Sequence, residues 1–96
     1  MTTDEPHPIR FAVRGPIDHA DLPGLCERVC RLLAGRSGCV VLCDVGGVTA
    51  DAGSVDALAR LQLAASRNGC RVRLRNASPE LLQVVALMGL ADVLPE

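Results

Sequence analysis

The chain has 96 residues, a length that holds one domain able to bury roughly 60–70% of its unfolded surface. Apolar residues make up 49% and charged residues 22%, which excludes a disordered chain, and the longest apolar run, Val84 to Ala91, is far short of the roughly 18 residues of a membrane helix. All ten basic residues are Arg, set against eleven acids, so a Walker phosphate loop, a lysine Schiff base and a pyridoxal anchor are excluded. The net charge of −1 and the single aromatic, Phe11, argue against nucleic-acid binding. Met1-Thr2-Thr3-Asp4-Glu5-Pro6 is acidic and polar, unlike a secretory leader, and five cysteines in that setting predict a reducing cytoplasm and free thiols, not a disulfide framework.

Residues 1–8, with Pro6 and Pro8, read as a flexible tail ahead of one domain over 9–96. Ile9-Arg10-Phe11-Ala12-Val13-Arg14 alternates like a strand and closes at Gly15-Pro16. Apolar positions 22, 25, 26, 29, 32 and 33 form a helical stripe, with Asp21 as cap, Pro23 in the first turn and Glu27–Arg31 as a supporting pair. Cys39-Val40-Val41-Leu42-Cys43, apolar on both faces, predicts a buried central strand ending at Asp44, with Gly46 to Ser54 as the connecting loop. A second helix runs from about Gly53 to Arg67, with Leu58, Leu61, Ala64 and Ala65 inward, and Asn68-Gly69 stops it. Cys70 to Arg75 alternates strictly, Ser78-Pro79-Glu80 opens a third helix that ends at Gly89, and Ala91-Asp92-Val93-Leu94 is expected as a last short strand.

This order predicts an α/β two-layer sandwich: a mostly parallel or mixed four-stranded sheet with three helices on one face. If Ile9, Phe11, Val13, Val72 and Leu74 face the helices, Arg10, Arg14, Arg71, Arg73 and Arg75 all face the other way. That open face reads either as a solvated surface that discourages stacking or as a docking face for an acidic partner.

No catalytic or metal centre, and no cofactor, is expected. Cys26/Cys30 and Cys39/Cys43 share a four-residue spacing that invites a zinc reading. For Cys39/Cys43, however, four residues along a strand span about 13 Å, whereas two thiolates on one zinc lie within about 4 Å, and small buried apolar side chains are the better reading of these cysteines. His7 falls in the tail. His19 lies in a loop within topological reach of Asp51–Ser54, but nothing marks an orienting group or oxyanion site. Gly46-Gly47 has neither the spacing nor the position of a dinucleotide fingerprint and reads as a plain turn.

A strand ending at Gly15, Ile17-Asp18, a helix with Leu25, the stretch Val40 to Val48, Asp51-Ala52-Gly53-Ser54-Val55-Asp56-Ala57-Leu58, Asn68 to Leu74 and the closing Gly89 to Leu94 follow one another in a recognisable order. Over about residues 9 to 95 the chain resembles the STAS domain of anti-sigma-factor antagonists and sulfate transporters. The resemblance implies a STAS-like fold and a cytoplasmic, non-enzymatic protein-binding module. Its contact pad would be the loop and second-helix N-terminus, here Thr49, Asp51, Ala52, Gly53, Ser54 and Val55. In the family the partner is often an anti-sigma factor that is also a serine kinase, and it phosphorylates the residue after the motif's Asp. A phosphate of about −1.5 to −2 charge in an apolar contact beside that Asp dissolves the complex.

Ala52 occupies that position and has no hydroxyl, so the usual switch cannot operate there. Gly53 and Ser54 look transposed relative to the family's Asp-Ser-Ser-Gly-Leu. Ser54 and Thr49 are the nearby hydroxyls where a phosphate would be tolerated by a helix N-terminus, with a simple helix cap as the plainer role for Ser54. Many members carry an extra N-terminal strand, which residues 1–8 are too polar and proline-rich to supply, leaving a sheet edge for a homodimer or a partner. Leu82, Val84, Val85, Leu87 and Met88 give the third helix more apolar surface than one stripe needs, a further expected contact. The chain also resembles the STAS subunit of phospholipid-transport ABC complexes, whose partner is an ABC ATPase and whose ending resembles Ala91 to Pro95. Neither reading involves nucleic acid or membrane insertion.

Overall fold

The computed structural model describes residues 9–18, 20–36 and 38–96. The expected tail at 1–8 and both histidines, His7 and His19, lie outside them. Strands and helices alternate as β1 (Ile9–Gly15), α1 (Leu22–Leu33), β2 (Val40–Val48), α2 (Ala52–Arg67), β3 (Arg71–Arg75) and α3 (Pro79–Leu87). Among the described residues the sheet has three strands in the order β1-β2-β3, every pair parallel.

Period-two alternation sorts the side chains into two faces. Val13, Val41, Cys43, Val45, Val72 and Leu74 are buried in one core with Val29 and Leu33 of α1, Leu58 and Leu61 of α2, and Leu81 and Val85 of α3. Arg10, Ala12 and Arg14 on β1 and Arg71, Arg73 and Arg75 on β3 point the other way and are exposed. The helices therefore line one side of the sheet, as expected. Within α1 the stripe is narrower than its spacing suggests: Leu22, Val29 and Leu33 are buried, while Leu32 is 46% exposed.

The central strand is longer than its apolar run. β2 passes through Asp44 and the glycine pair to Val48, so Gly46-Gly47 is not a turn. Opposite β1 the register steps from Ala12↔Asp44 to Arg14↔Gly47, so β2 accommodates one extra residue as a β-bulge. Asp44 Oδ1 accepts from the Gly46 N–H at 2.9 Å inside this bulge. A Cβ on Gly46 would sit 3.2 Å from that oxygen, and one on Gly47 would sit 3.2 Å from Arg14 Cγ, which explains two glycines in mid-strand.

The expected fourth strand at Ala91–Leu94 is a turn instead. Gly89, at φ 72°, reverses the chain after α3, and the Val93 and Leu94 N–H groups both donate to Leu90 O. This coil drops Leu94 into the core, where it is 2% exposed. The edge of β3 that such a strand would have paired is already in use. Gln62, a buried polar residue on the inner side of α2, accepts from the Val72 N–H with Oε1 at 2.8 Å and donates through Nε2 to Val72 O and Val93 O at 2.9 and 2.7 Å. The next outward N–H, Leu74, donates to Pro95 O at 2.8 Å. One side chain and the C-terminal turn thus replace a strand.

Cysteine pairing departs from expectation. Val40↔Arg71 register sets Cys39 and Cys70 side by side at the head of neighbouring strands, with Cα atoms 4.8 Å apart, and the two are joined by a disulfide. Cys43 is fully buried, as a small apolar filler should be, whereas Cys26 and Cys30 are only half-buried on α1. Burial, followed by the neighbouring Asp44 charge, pushes the Cys43 thiol up to about 12, so it stays protonated and is a poor metal ligand.

Two outcomes test these contacts. Alkylation of denatured, unreduced protein followed by mass spectrometry is expected to label Cys26, Cys30 and Cys43 only, with Cys39 and Cys70 added after reduction. Gln62→Leu is expected to lower unfolding free energy in urea by about 3 kcal/mol, because it leaves the Val72 N–H and carbonyl buried without partners and frees the part-buried Val93 carbonyl.

Candidate functional site

The β1–α1 and β2–α2 connections both leave the C-terminal end of parallel strands and meet there. The Thr49 N–H donates to Gly15 O at 3.2 Å, tying the second connection to the end of β1. Asp51 follows in an extended conformation, φ −137° and ψ 165°, as the N-cap of α2. Its Oδ1 accepts from the Ser54 N–H at 2.7 Å, satisfying one of the first-turn donors that a helix leaves unpaired. The cap is therefore Asp51. Ser54, expected as the cap, sits one turn further in.

Ser54 has a different task. It is 1% exposed, and its Oγ accepts from the Ile17 N–H at 3.4 Å, which links α2 to the loop after β1. Val55 beside it is fully buried in the core. The six residues expected to form a contact pad thus split in two. Thr49, Asp51, Ala52 and Gly53 are exposed, with half-buried Ala50 between the first two, while Ser54 and Val55 hold the pad from beneath. Of the two expected hydroxyls, Thr49 reaches solvent and Ser54 does not.

Gly53 is helical, and a Cβ there would lie 3.6 Å from Asp51 Oδ1, an ordinary contact, so its own fold does not require glycine. The outer surface of Ala52 and Gly53 is consequently bare backbone and one methyl, with a carboxylate at its rim. Such a surface lets another polypeptide approach closely. Among the described residues it holds no nucleophile paired with a base, and no three His, Cys, Asp or Glu side chains are grouped to hold a metal ion. On α1, burial raises the Cys26 thiol, with Cys30 adding to the shift and Arg60 opposing it, so this cysteine is not activated. Away from the pad, Leu87 at the end of α3 is 82% exposed and Met88 38% exposed.

A family model described as "Mlab, STAS domain" matches residues 1–95. The chain belongs to the STAS domain family. A comparison with curated proteins finds no match. Membership agrees with the alternating parallel architecture, and STAS domains are generally binding modules without enzymatic activity. In this STAS domain the turn into α2 presents Asp51, Ala52 and Gly53 to solvent and buries Ser54 and Val55. No helix of the described residues is long and apolar enough to cross a membrane.

The sequence missed two residues, Ile17 in this region and Gln62 at the edge of β3. Ile17 supplies the N–H that anchors Ser54, a backbone role without a side-chain signature. Gln62 was hidden in an otherwise amphipathic pattern, where a polar residue flanked by inward Leu58, Leu61 and Ala65 was the available hint. Asp51→Ala is expected to cost about 1 kcal/mol in urea unfolding by removing the α2 cap, without altering the far-ultraviolet circular dichroism of the native state.

Proposed function

We propose that this STAS domain is a regulator of the anti-sigma-factor-antagonist type, binding an anti-sigma factor or similar serine-kinase-like protein through Thr49, Asp51, Ala52 and Gly53. The observation that supports it is the exposed turn at the start of α2, rigidly backed by the Asp51–Ser54 and Ser54–Ile17 hydrogen bonds. A pad fixed before binding loses little conformational freedom on association. Because Ala52 lacks a hydroxyl, binding is constitutive with respect to the usual phosphoryl switch. Thr49 carries the pad's exposed hydroxyl, since the Ser54 hydroxyl is buried and engaged, and it lies two residues before Asp51, outside the usual switch position. The family resemblance sets the protein in the cytoplasm with its partner, a compartment in which the Cys39–Cys70 disulfide would be exposed to reduction.

A second reading, a STAS subunit that binds the ATPase of a lipid-transport ABC complex, is favoured by one finding: the matching family's description carries the name Mlab. The same pad would serve, so the partner separates the two readings.

Titration calorimetry with purified anti-sigma serine kinases and ABC ATPases from the same genome tests both. Wild type is expected to bind a kinase, and ATP is expected to leave the complex intact. Ala52→Glu, which puts a charge on the bare surface beside Asp51, is expected to weaken binding about tenfold or more, equivalent to about 1.4 kcal/mol. Ala52→Ser is expected to make the complex ATP-sensitive. Binding to an ABC ATPase alone establishes the second reading, and binding that Ala52→Glu leaves unchanged overturns the pad.

A further inference from the structure

The uncovered side of the sheet carries a charge pattern that the α2 turn does not use. β3 presents Arg71, Arg73 and Arg75 along one line, and β1 presents Arg10 and Arg14 along another. Side chains two residues apart on a strand are spaced about 6.6 Å, and the outer strands of a three-stranded sheet stand about 10 Å apart. Between the rows runs the outward side of β2: Val40, 41% exposed, then half-buried Leu42, then Asp44. Register puts Leu42 opposite Arg10 on one side and Arg73 on the other, and Asp44 opposite Ala12 and Arg75. A shallow depression bordered by Arg10, Ala12, Leu42, Asp44, Arg75 and Asn76 crosses this face.

Among the described residues the ion pairs are Glu27–Arg31 and Asp56–Arg60, both within helices. None involves the five guanidinium groups of the sheet. The carboxylate among them, Asp44, is oriented by the Gly46 N–H and by Asn76 Nδ2, which donates to Oδ2 at 3.1 Å. Five like charges gathered on one face of a chain whose net charge is −1 are an uneven distribution. Asp44, attracted to Arg14 and Arg75, offsets this repulsion in part and leaves the face with an excess of positive charge.

We propose that this face docks an extended acidic segment of a protein partner, one with carboxylates at every second residue. An extended chain repeats its side chains at the same spacing as the β3 arginines, so alternate carboxylates meet successive guanidinium groups in step. Guanidinium binds carboxylate through two parallel hydrogen bonds, a geometry lysine lacks, and every cation here is Arg. Val40 and Leu42 supply an apolar floor along which the segment's backbone lies. A nucleic acid fits less well. The one aromatic, Phe11, borders the depression while packing against the core, so no series of rings is available for stacking.

Fluorescence anisotropy with a labelled peptide of Glu-Thr repeats tests this. The peptide is expected to bind wild type with an affinity that falls as salt rises, and its Gln-Thr counterpart is not. Arg71→Glu with Arg73→Glu is expected to weaken binding about tenfold or more, and Asp44→Asn to strengthen it by removing the opposing charge. The milder pair Arg71→Gln with Arg73→Gln, its fold checked by circular dichroism, serves where charge reversal prevents folding. The Ala52→Glu variant is expected to keep peptide binding, which separates this face from the α2 pad. Absence of binding, equal binding of the Gln peptide, indifference to the arginine substitutions, or equal affinity for a short oligothymidylate or phosphatidylglycerol vesicles overturns the proposal.

Discussion

Strict alternation in β3 decides how the molecule is built. Val72 and Leu74 are almost fully buried, and Arg71, Arg73 and Arg75 between them are exposed, so the strand has one side that must meet apolar partners and one that must meet water. β1 repeats the pattern with Arg10 and Arg14. Three helices consequently pack on the same side, and all βα turns emerge at one end of the strands. The family's usual contact region and the arginine surface are both consequences of that segregation. They lie on different parts of one scaffold and recognise different chemistry: a bare backbone turn in one case, a charge ladder in the other.

Helices and strands with clear periodicity were legible in the sequence. The Ser78 cap and Pro79 start of α3, the Glu27–Arg31 pair and the arginine side of the sheet all arise from local spacing, and local spacing is what a sequence displays. The turn at Ala91–Leu94, expected as a strand, was not legible because its apolar letters serve another purpose: Leu94 plugs the core from a turn, and Gln62 occupies the bonding groups a strand would need. Gly46-Gly47 looked like punctuation but is a bulge inside β2, a distinction set by pairing with β1. The Cys39–Cys70 link depends on strand register across 31 residues, which spacing within the chain does not display.

The position of the α2 turn was visible from the order of residues, but its division of labour was not. Asp51 and Ser54 are both ordinary N-terminal helix residues by composition. Only the Ile17 N–H, brought in from the β1–α1 loop, shows why Ser54 is buried while Ala52 and Gly53 beside it face outward. A serine with a structural partner is chemically unlike a serine awaiting a kinase, even at a neighbouring position of the same turn.

The way β3 is finished has a practical side. Its outer amides are sealed by Gln62 and by the carbonyl of Pro95, with the Val93 carbonyl steadying the same glutamine. Protein engineers should therefore treat the last few residues as structural material: trimming them, or grafting an affinity tag directly onto Leu94, strips this seal and presents a raw β-edge to neighbouring molecules, the usual first step toward precipitation.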